Sequence, residues 1–296
     1  MKLEKYSFGI GDRFGQQGKA QLEALIKAKE AGIEMVPVWN KSNREHQIIQ
    51  SSPKETLLEA DEAVKELQWE APYYVDADHI NLKTVDSFLD HANFFTLDVA
   101  DYIGSNITED ELQDFLKEAL AYEGELMIPG IDKPFEVTGD LLIKIARSFL
   151  GAVREAAAIY NHIAENRGAD SFISEISMDE VEEAQTPVEL FFILMMIKQH
   201  GIPAQTIAPK FTGRFNKGVD YVGDATLFRK EFEEDLLVID FSVKTFGLPD
   251  NLKLSVHSGS DKFTIYPIMG ELIQKHHKGI HVKTAGTTWL EEVIGL

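Results

Sequence analysis

Leu252-Lys253-Leu254-Ser255-Val256-His257-Ser258-Gly259-Ser260-Asp261-Lys262 is the stretch that decides the fold of this 296-residue chain. Apolar and polar residues alternate as far as His257, which predicts a β-strand with one apolar face. The small polar residues after His257 predict a turn, and the segment from Tyr266 onward has the pattern of a helix. His257 therefore lies at the carboxyl end of a strand, before a loop that leads to a helix. In α/β folds this is where chemistry is placed.

The same order of strand, polar turn and helix recurs along the chain. Strands are predicted at 6–10, 35–39, 72–76, 94–98, 172–176, 204–208, 252–257 and 280–284. A helical pattern follows each of them; after the third strand it covers 85–91. Eight strands alternating with eight helices predict a closed (β/α)8 barrel, a TIM barrel. An open doubly wound sheet is the alternative, but no glycine-rich dinucleotide or phosphate loop follows any strand.

One segment interrupts this alternation after the fourth strand. Thr108 and Glu111 form a capping box that opens an acidic helix, and a connector rich in proline and glycine leads to a long helix at 140–166. We predict a helical insertion at 109–133 within a single barrel domain that spans 1–296. The chain stops inside the predicted eighth helix, at 289–293, so a truncated chain is expected.

Composition excludes several classes of protein. The net charge of −20 opposes binding to nucleic acids and to anionic membranes. The chain has no cysteine, which rules out disulfides and thiolate metal sites. The start of the chain has no secretory pattern, and no run of about 18 apolar residues suggests a membrane span. A cytoplasmic protein is predicted.

Histidines and carboxylates gather at the predicted carboxyl ends of the strands. Asp78 and His79 follow the third strand, Glu175 lies in the fifth, and His257 ends the seventh. Imidazole nitrogen and carboxylate oxygen suit Zn, Mn, Fe, Co or Ni, so we predict one divalent cation held by His79 and His257. Either Glu175 or His281 would complete the shell. His281 begins its strand, however, and a hydrogen-bonded core histidine is an equal alternative there.

Asp78 and Glu175 would face a substrate from different strands. They could act as base and acid on opposite faces of the substrate. The alternative is that either one is a metal ligand or half of a buried ion pair with Lys210 or Lys253. We predict that Arg13, Lys41 and Lys210 bind an anionic substrate, against the alternative of structural or solvated cations.

Four motifs together resemble one known family. They are Gly-Ile-Gly-Asp-Arg-Phe-Gly at 9–15, Val-Asp-Ala-Asp-His-Ile at 75–80, Ser-Val-His-Ser-Gly-Ser-Asp-Lys at 255–262 and His-Val-Lys-Thr-Ala-Gly-Thr at 281–287. In this order they are similar to the tagaturonate epimerase family over almost the whole chain. The resemblance implies a metal-dependent isomerase that interconverts tagaturonate and fructuronate in hexuronate catabolism. It also implies that Asp78 is the base and that His79 is a metal ligand. Proteins of this family are longer than this chain.

Several alternatives stay open at this stage. Another metal-dependent barrel aldolase or isomerase acting on a sugar or sugar acid is one, and a non-catalytic carbohydrate-binding barrel is another. The two uronates differ at a carbinol carbon β to the ketone, so simple enolisation does not explain their exchange. Retro-aldol cleavage with re-addition and other carbanion or hydride routes both remain. We expect a small sugar acid as the partner, with a homo-oligomer as an open alternative.

Overall fold

Parallel strands form a closed barrel in the computed structural model, which describes residues 1–179, 183–284, 286 and 293–294. In that part of the chain the strands are β1 (Tyr6–Gly11), β2 (Val36–Ser42), β3 (Tyr74–Ile80), β4 (Phe94–Asp98), β5 (Gly124–Leu126), β6 (Phe135–Val137), β7 (Ile173–Ser177), β8 (Thr206–Ala208), β9 (Lys253–Val256) and β10 (Ile280–Lys283). The ring runs β1-β2-β3-β4-β7-β8-β9-β10 and closes where Ser7 of β1 pairs with His281 of β10. The prediction of a closed (β/α)8 barrel is confirmed.

Helices surround this ring. They are α1 (Gly18–Glu30), α2 (Asn43–Ile49), α3 (Pro53–Glu66), α4 (Glu109–Ala119), α5 (Gly139–Arg167), α6 (Pro187–Gln199), α7 (Ala225–Phe246) and α8 (Tyr266–Lys275). The capping box that opens α4 is present, with the Thr108 side chain accepting a hydrogen bond from the Glu111 amide. Helix α6 is buried almost all round, as its apolar sequence requires. Among the described residues, no helix has both the length and the apolarity to cross a membrane.

The structure differs from the predicted elements in three places. The helix expected at 85–91 is wrong, since only a 3-10 turn forms at Val85–Ser87. Val85 and Phe88 are both buried against the barrel, and one tight turn already places them there. The connector rich in proline and glycine joins β5 and β6 in an antiparallel hairpin, and neither this hairpin nor α2 was predicted. Most of the predicted eighth helix lies outside the described residues.

The inside of the barrel changes from apolar to charged along its axis. Near the amino ends of the strands, Val38, Tyr74 and Phe94 pack together in a dry layer. Nearer the carboxyl ends, the inward side chains are Asp76, Thr96, Glu175 and Lys283, all buried. Buried charges must be paired or must hold a ligand, so the carboxyl end of the barrel is the candidate position for a functional site.

A glycine makes room for the largest of these inward side chains. A Cβ at Gly9 would lie 2.9 Å from Lys283 Cα and 3.2 Å from its Cγ. Real Cβ atoms do not approach backbone that closely, so any other residue would push β1 away from β10. Gly9 in the motif at 9–15 thus lets the Lys283 side chain cross the barrel.

Candidate active site

A buried lysine lies at the centre of the charged layer. Lys283 Nζ is 2.8 Å from Asp76 Oδ2, 2.9 Å from Asp78 Oδ1 and 3.0 Å from Glu175 Oε1. The hydroxyl of Thr96 also lies between Asp76 and Glu175, within hydrogen-bonding distance of both. One ammonium thus holds three carboxylates from β3 and β7 close together, just below the mouth of the barrel.

A bulge in β3 sends two consecutive side chains to the same place. Neighbouring residues of a regular strand point to opposite faces. The pairing of β3 with β4 shifts between Ala77 and Ile80, and His79 takes a left-handed backbone with φ of 49°. Such a conformation is costly outside glycine and is typical of functional positions. As a result, both Asp78 and His79 line the mouth of the barrel.

The two histidines at the mouth are each held by a carboxylate on one ring nitrogen. His79 Nδ1 lies 3.2 Å from Asp98 Oδ2, and His257 Nε2 lies 2.8 Å from Glu175 Oε1. Their rings meet edge to face, with centroids 5.3 Å apart. These contacts leave His79 Nε2 and His257 Nδ1 as the nitrogens available to a ligand.

Asp179 completes a cluster with the donor chemistry of a metal site. One ligand atom from each of His79, Asp179 and His257 lies within 4.8 Å of the others. His257 Nδ1 is 3.1 Å from Asp179 Oδ1, yet in the described part of the chain that nitrogen has no well-directed hydrogen bond. Two imidazoles and a carboxylate, with further carboxylates on the outer nitrogens, fit Zn²⁺ or a similar divalent ion.

Charge coupling fixes the protonation states of the carboxylates. Burial alone would raise the pKa of Asp78, but Lys283 and His79 outweigh it and lower the pKa to about 2. The pKa of Glu175 is likewise well below its usual range, because Lys283 and His257 overcome the effect of burial. Burial dominates at Asp76 and raises its pKa to about 7. Asp78 and Glu175 are therefore ionised at neutral pH.

The surrounding carboxylates also favour positive charge on both histidines. Burial alone would lower each pKa, but Asp78 raises that of His79 to about 8. Asp179 and Glu175 raise that of His257 to about 10. The carboxylates therefore stabilise positive charge at these two rings.

The mouth is a polar cavity of about 440 Å³. Asp78, His79, Asp179 and His257 line it together with the cations Arg44, Lys217 and Lys283. Glu175 does not line it, since the carboxylate is fully buried beneath His257. A small molecule with hydroxyl and carboxylate groups matches this lining.

None of the three cations predicted to bind substrate lines the mouth. Arg13 Nη1 lies 3.0 Å from Glu45 Oε1, and it is Glu45, not Arg13, that lines the cavity. Lys41 is on the outer side of β2, in a separate cavity of about 370 Å³ beside Glu59. Lys210 is not among the residues that line the mouth, and its backbone N–H donates to Gln185 Oε1.

His281 lies apart from the histidine cluster. Its Nδ1 is 2.9 Å from Ser7 Oγ, and its ring packs against Phe94 in the apolar layer. Burial lowers the pKa of His281 to about 3, so the imidazole is neutral. These contacts correspond to the hydrogen-bonded core histidine that was the alternative to a metal ligand at His281. Asp179, which follows β7, occupies the position that His281 was expected to take.

Sequence reasoning assigned no role to several residues that the structure brings to the site. Asp76 precedes Asp78 by two positions on the same strand face, so alternation could have found it. Lys283 could be placed inside the barrel by the same pattern, but not matched to its three partners. Arg44 lies in α2, a helix that was not predicted, and Lys217 lies in a loop, whose course the sequence pattern does not reveal.

Comparison with known proteins supports the motif resemblance. A family described as tagaturonate epimerase matches residues 1–294. The tagaturonate/fructuronate epimerase of Thermotoga maritima is 29% identical over 300 aligned positions, which cover 97% of this chain and 58% of that protein.

Solved structures agree with the sequence comparison. A glycerol complex of the fructuronate-tagaturonate epimerase from Cohnella laeviribosi superposes with a TM-score of 0.80 at 25% identity, covering 99% of this chain and 59% of that one. A second complex, with two glycerols, gives a TM-score of 0.78 with the same identity and coverage. The chain therefore spans about three fifths of the length of these relatives.

Proposed function

Because the chain belongs to the tagaturonate epimerase family, we propose that it is an isomerase that interconverts tagaturonate and fructuronate at the mouth of the barrel. The observation that carries this proposal is the cluster of His79, Asp179 and His257 directly beside an ionised Asp78. It supplies donors for a divalent cation and a base in one small polar cavity. A carbohydrate-binding barrel has no need of that combination.

We propose His79 Nε2, His257 Nδ1 and Asp179 as the ligands of the cation. A divalent cation bound there would polarise the ketone oxygen of the substrate and stabilise developing negative charge. Asp98 and Glu175 hold the outer nitrogens of the two rings, which orients the inner nitrogens toward the ligand position. Glu175 is thus a positioning residue in this proposal, in place of the acid role expected from the sequence.

Asp78 is the proposed base. The carboxylate is ionised, lines the cavity and is held in place by Lys283. It accepts the proton of the hydroxyl β to the ketone, and the bond between the α and β carbons breaks. The electron pair of that bond moves toward the former ketone, leaving an aldehyde fragment. The fragment turns, the bond forms again on its other face, and Asp78 returns the proton. Retro-aldol chemistry of this kind needs one base, which agrees with the burial of Glu175.

The carboxylate of the uronate would meet the cations at the rim. Arg44 of α2 and Lys217 of the loop after β8 line the cavity, whereas Lys283 is saturated by three carboxylates below. Charge-assisted hydrogen bonds from these side chains would hold the carboxylate end while the reacting carbons face Asp78.

The test is epimerisation by the purified protein. Tagaturonate is incubated with protein stripped of metal and then reloaded with Zn²⁺, Mn²⁺ or Co²⁺, and the products are separated by chiral chromatography. We expect fructuronate to form only after reloading. The Asp78→Asn variant should lose about a hundredfold or more in turnover with its metal content intact. Asp250→Asn, an exposed change beside Lys2, is the matched control.

Two outcomes would contradict the proposal. Near-normal turnover of Asp78→Asn would exclude that residue as the base. Accumulation of cleavage fragments without any epimer would favour the aldolase alternative.

A further inference from the structure

The motif at 255–262 contains a lysine that the proposed reaction does not use. Lys262 is fully buried, with an exposed fraction of 0%. Its Nζ donates to three backbone carbonyls, those of Ser260 at 2.8 Å, Asn216 at 2.8 Å and Val219 at 2.6 Å. An ammonium has three donors, so these carbonyls use all of them.

Two of the three carbonyls belong to the hairpin that carries Lys217. Arg214 pairs with Val222 in antiparallel fashion, with a 2.9 Å hydrogen bond from the Arg214 amide. Asn216 and Val219 flank Lys217 at the tip of this hairpin. Lys217 itself is exposed and lines the mouth of the barrel. The Lys262 ammonium therefore contacts the backbone on both sides of Lys217, the residue that faces the cavity.

The same hairpin has a second polar tie to the segment after β9. Asp220 accepts hydrogen bonds from the Thr264 amide at 3.1 Å and the Thr264 hydroxyl at 2.5 Å. This contact lies at the surface, however, whereas Lys262 is inside. Without the ammonium, the inward carbonyls of Asn216 and Val219 would lose their shared donor away from water, which favours turning the tip outward.

We propose that Lys262 is a positioning residue that fixes the hairpin tip, so that Lys217 meets the carboxylate of the substrate. The inference rests on the proposed function for the identity of that substrate. It assigns Lys217 as the specificity-determining contact for a carboxylate end group, and Lys262 as the group that acts through it. Lys262 joins the loops after β8 and β9, and so couples the motif at 255–262 to substrate recognition.

The experiment combines kinetics with proteolysis. Lys262→Met keeps the length and the apolar stem of the side chain and removes the ammonium. The displaced Lys217 should lose its hydrogen bond to the substrate carboxylate. We therefore expect KM for tagaturonate to rise about tenfold or more, since a hydrogen bond to a charged group is worth a factor of that order. Turnover at saturation should stay within about threefold, because Lys217 touches no reacting atom. Trypsin cleavage of the bond between Lys217 and Gly218 should accelerate by a similar factor.

A double-variant comparison shows whether Lys262 acts through Lys217. The Lys217→Met variant should raise KM at least as much, and combining it with Lys262→Met should raise KM no further. Lys253→Met is the matched control, because Lys253 is also a buried lysine bound to a backbone carbonyl, but at the opposite end of the barrel. It should change neither KM nor cleavage at Lys217.

The outcomes separate the two proposals. Effects of Lys217→Met and Lys262→Met that multiply in KM, or tip cleavage no faster than in the unchanged protein, would overturn the positioning role. If the unchanged protein does not epimerise uronates, the proposed function fails, and the proteolysis result alone decides whether Lys262 fixes the tip.

Discussion

Lys283 Nζ and Asp76 Oδ2 lie 2.8 Å apart inside the barrel, although β10 and β3 are not neighbours in the ring. The pair is fully buried, and Asp78 and Glu175 share the same ammonium. Burial favours the neutral form of Asp76 and opposes the charge on Lys283. The three carboxylates reverse that effect for the lysine, whose pKa is well above its usual range. The Lys283 ammonium therefore compensates all three buried carboxylates of the charged layer in the folded protein.

The first prediction concerns this dependence. Lys283→Met should lower the free energy of unfolding by about 3–5 kcal/mol, because removal of one partner leaves buried carboxylates uncompensated. Asp76→Asn should cost much less, since the pKa of about 7 means that the folded protein already tolerates the neutral acid there. Urea unfolding followed by circular dichroism measures both variants. Equal losses in the two variants would contradict the central role of the lysine.

The second prediction concerns the ligand set. Asp179→Asn should weaken Zn²⁺ binding by roughly ten- to a hundredfold or more, if loss of a ligand costs at least as much as loss of its supporting group. His281→Asn should leave the affinity unchanged, because His281 contacts Ser7 and Phe94 in a different layer. Isothermal titration of metal-free protein compares them. The opposite ranking would restore the ligand set predicted from the sequence.

The third prediction separates the two roles considered for Glu175. As the partner of His257 Nε2, the carboxylate sets which ring nitrogen faces the cation. Glu175→Gln should therefore weaken metal affinity by about tenfold or more, in the range seen when such a partner is removed. A proton donor would behave differently, with turnover lost and metal affinity kept. Metal titration beside a steady-state assay distinguishes the two.

The barrel could be predicted from the sequence because its strands have regular apolar alternation and its helices have strong caps. The capping box predicted at Thr108 is present, and a second capping box opens α6 at Thr186. Alternation along β9 and β10 also agrees with the inward side chains of His257 and Lys283. The helix predicted at 85–91 does not form, because a single 3-10 turn already buries Val85 and Phe88.

The site was harder to predict because its geometry departs from regular elements. A period of two places Asp78 and His79 on opposite faces, and only the bulge with its left-handed residue brings them together. Because β2 is buried on both faces, alternation does not tell whether Lys41 faces the mouth or the outer side of the barrel. Arg44 reaches the cavity from α2, which was not predicted, and Lys217 reaches it from a loop whose conformation depends on contacts such as those of Lys262.

A pair of carboxyl groups outside the barrel provides a pH-dependent contribution to stability. Asp12 accepts hydrogen bonds from the amides of Phe14, Gly15, Gln16 and Gln17 ahead of α1. Glu59 of α3 accepts a 2.8 Å hydrogen bond from the Gly18 amide at the start of α1. Burial, followed by the neighbouring Asp12, raises the pKa of Glu59 to about 8. In the folded protein Glu59 is therefore mostly protonated at neutral pH.

The fourth prediction follows from that protonation. The folded state binds a proton at Glu59 that the unfolded chain releases above its ordinary pKa of 4.5. Between about pH 5 and pH 8 the folded state holds more protons, so this group makes stability fall as pH rises. Glu59→Gln mimics the protonated acid, keeps an acceptor for Gly18 and removes the titration. The difference in unfolding free energy between variant and unchanged protein should therefore shift in favour of the variant as pH rises from 5 to 8, by up to a few kcal/mol at about 1.4 kcal/mol per pH unit. Urea unfolding at pH 5, 6.5 and 8 measures it, with Glu66→Gln, an exposed change on the same helix, as the control. A difference that stays constant across this range would show that Glu59 is ionised in the folded protein.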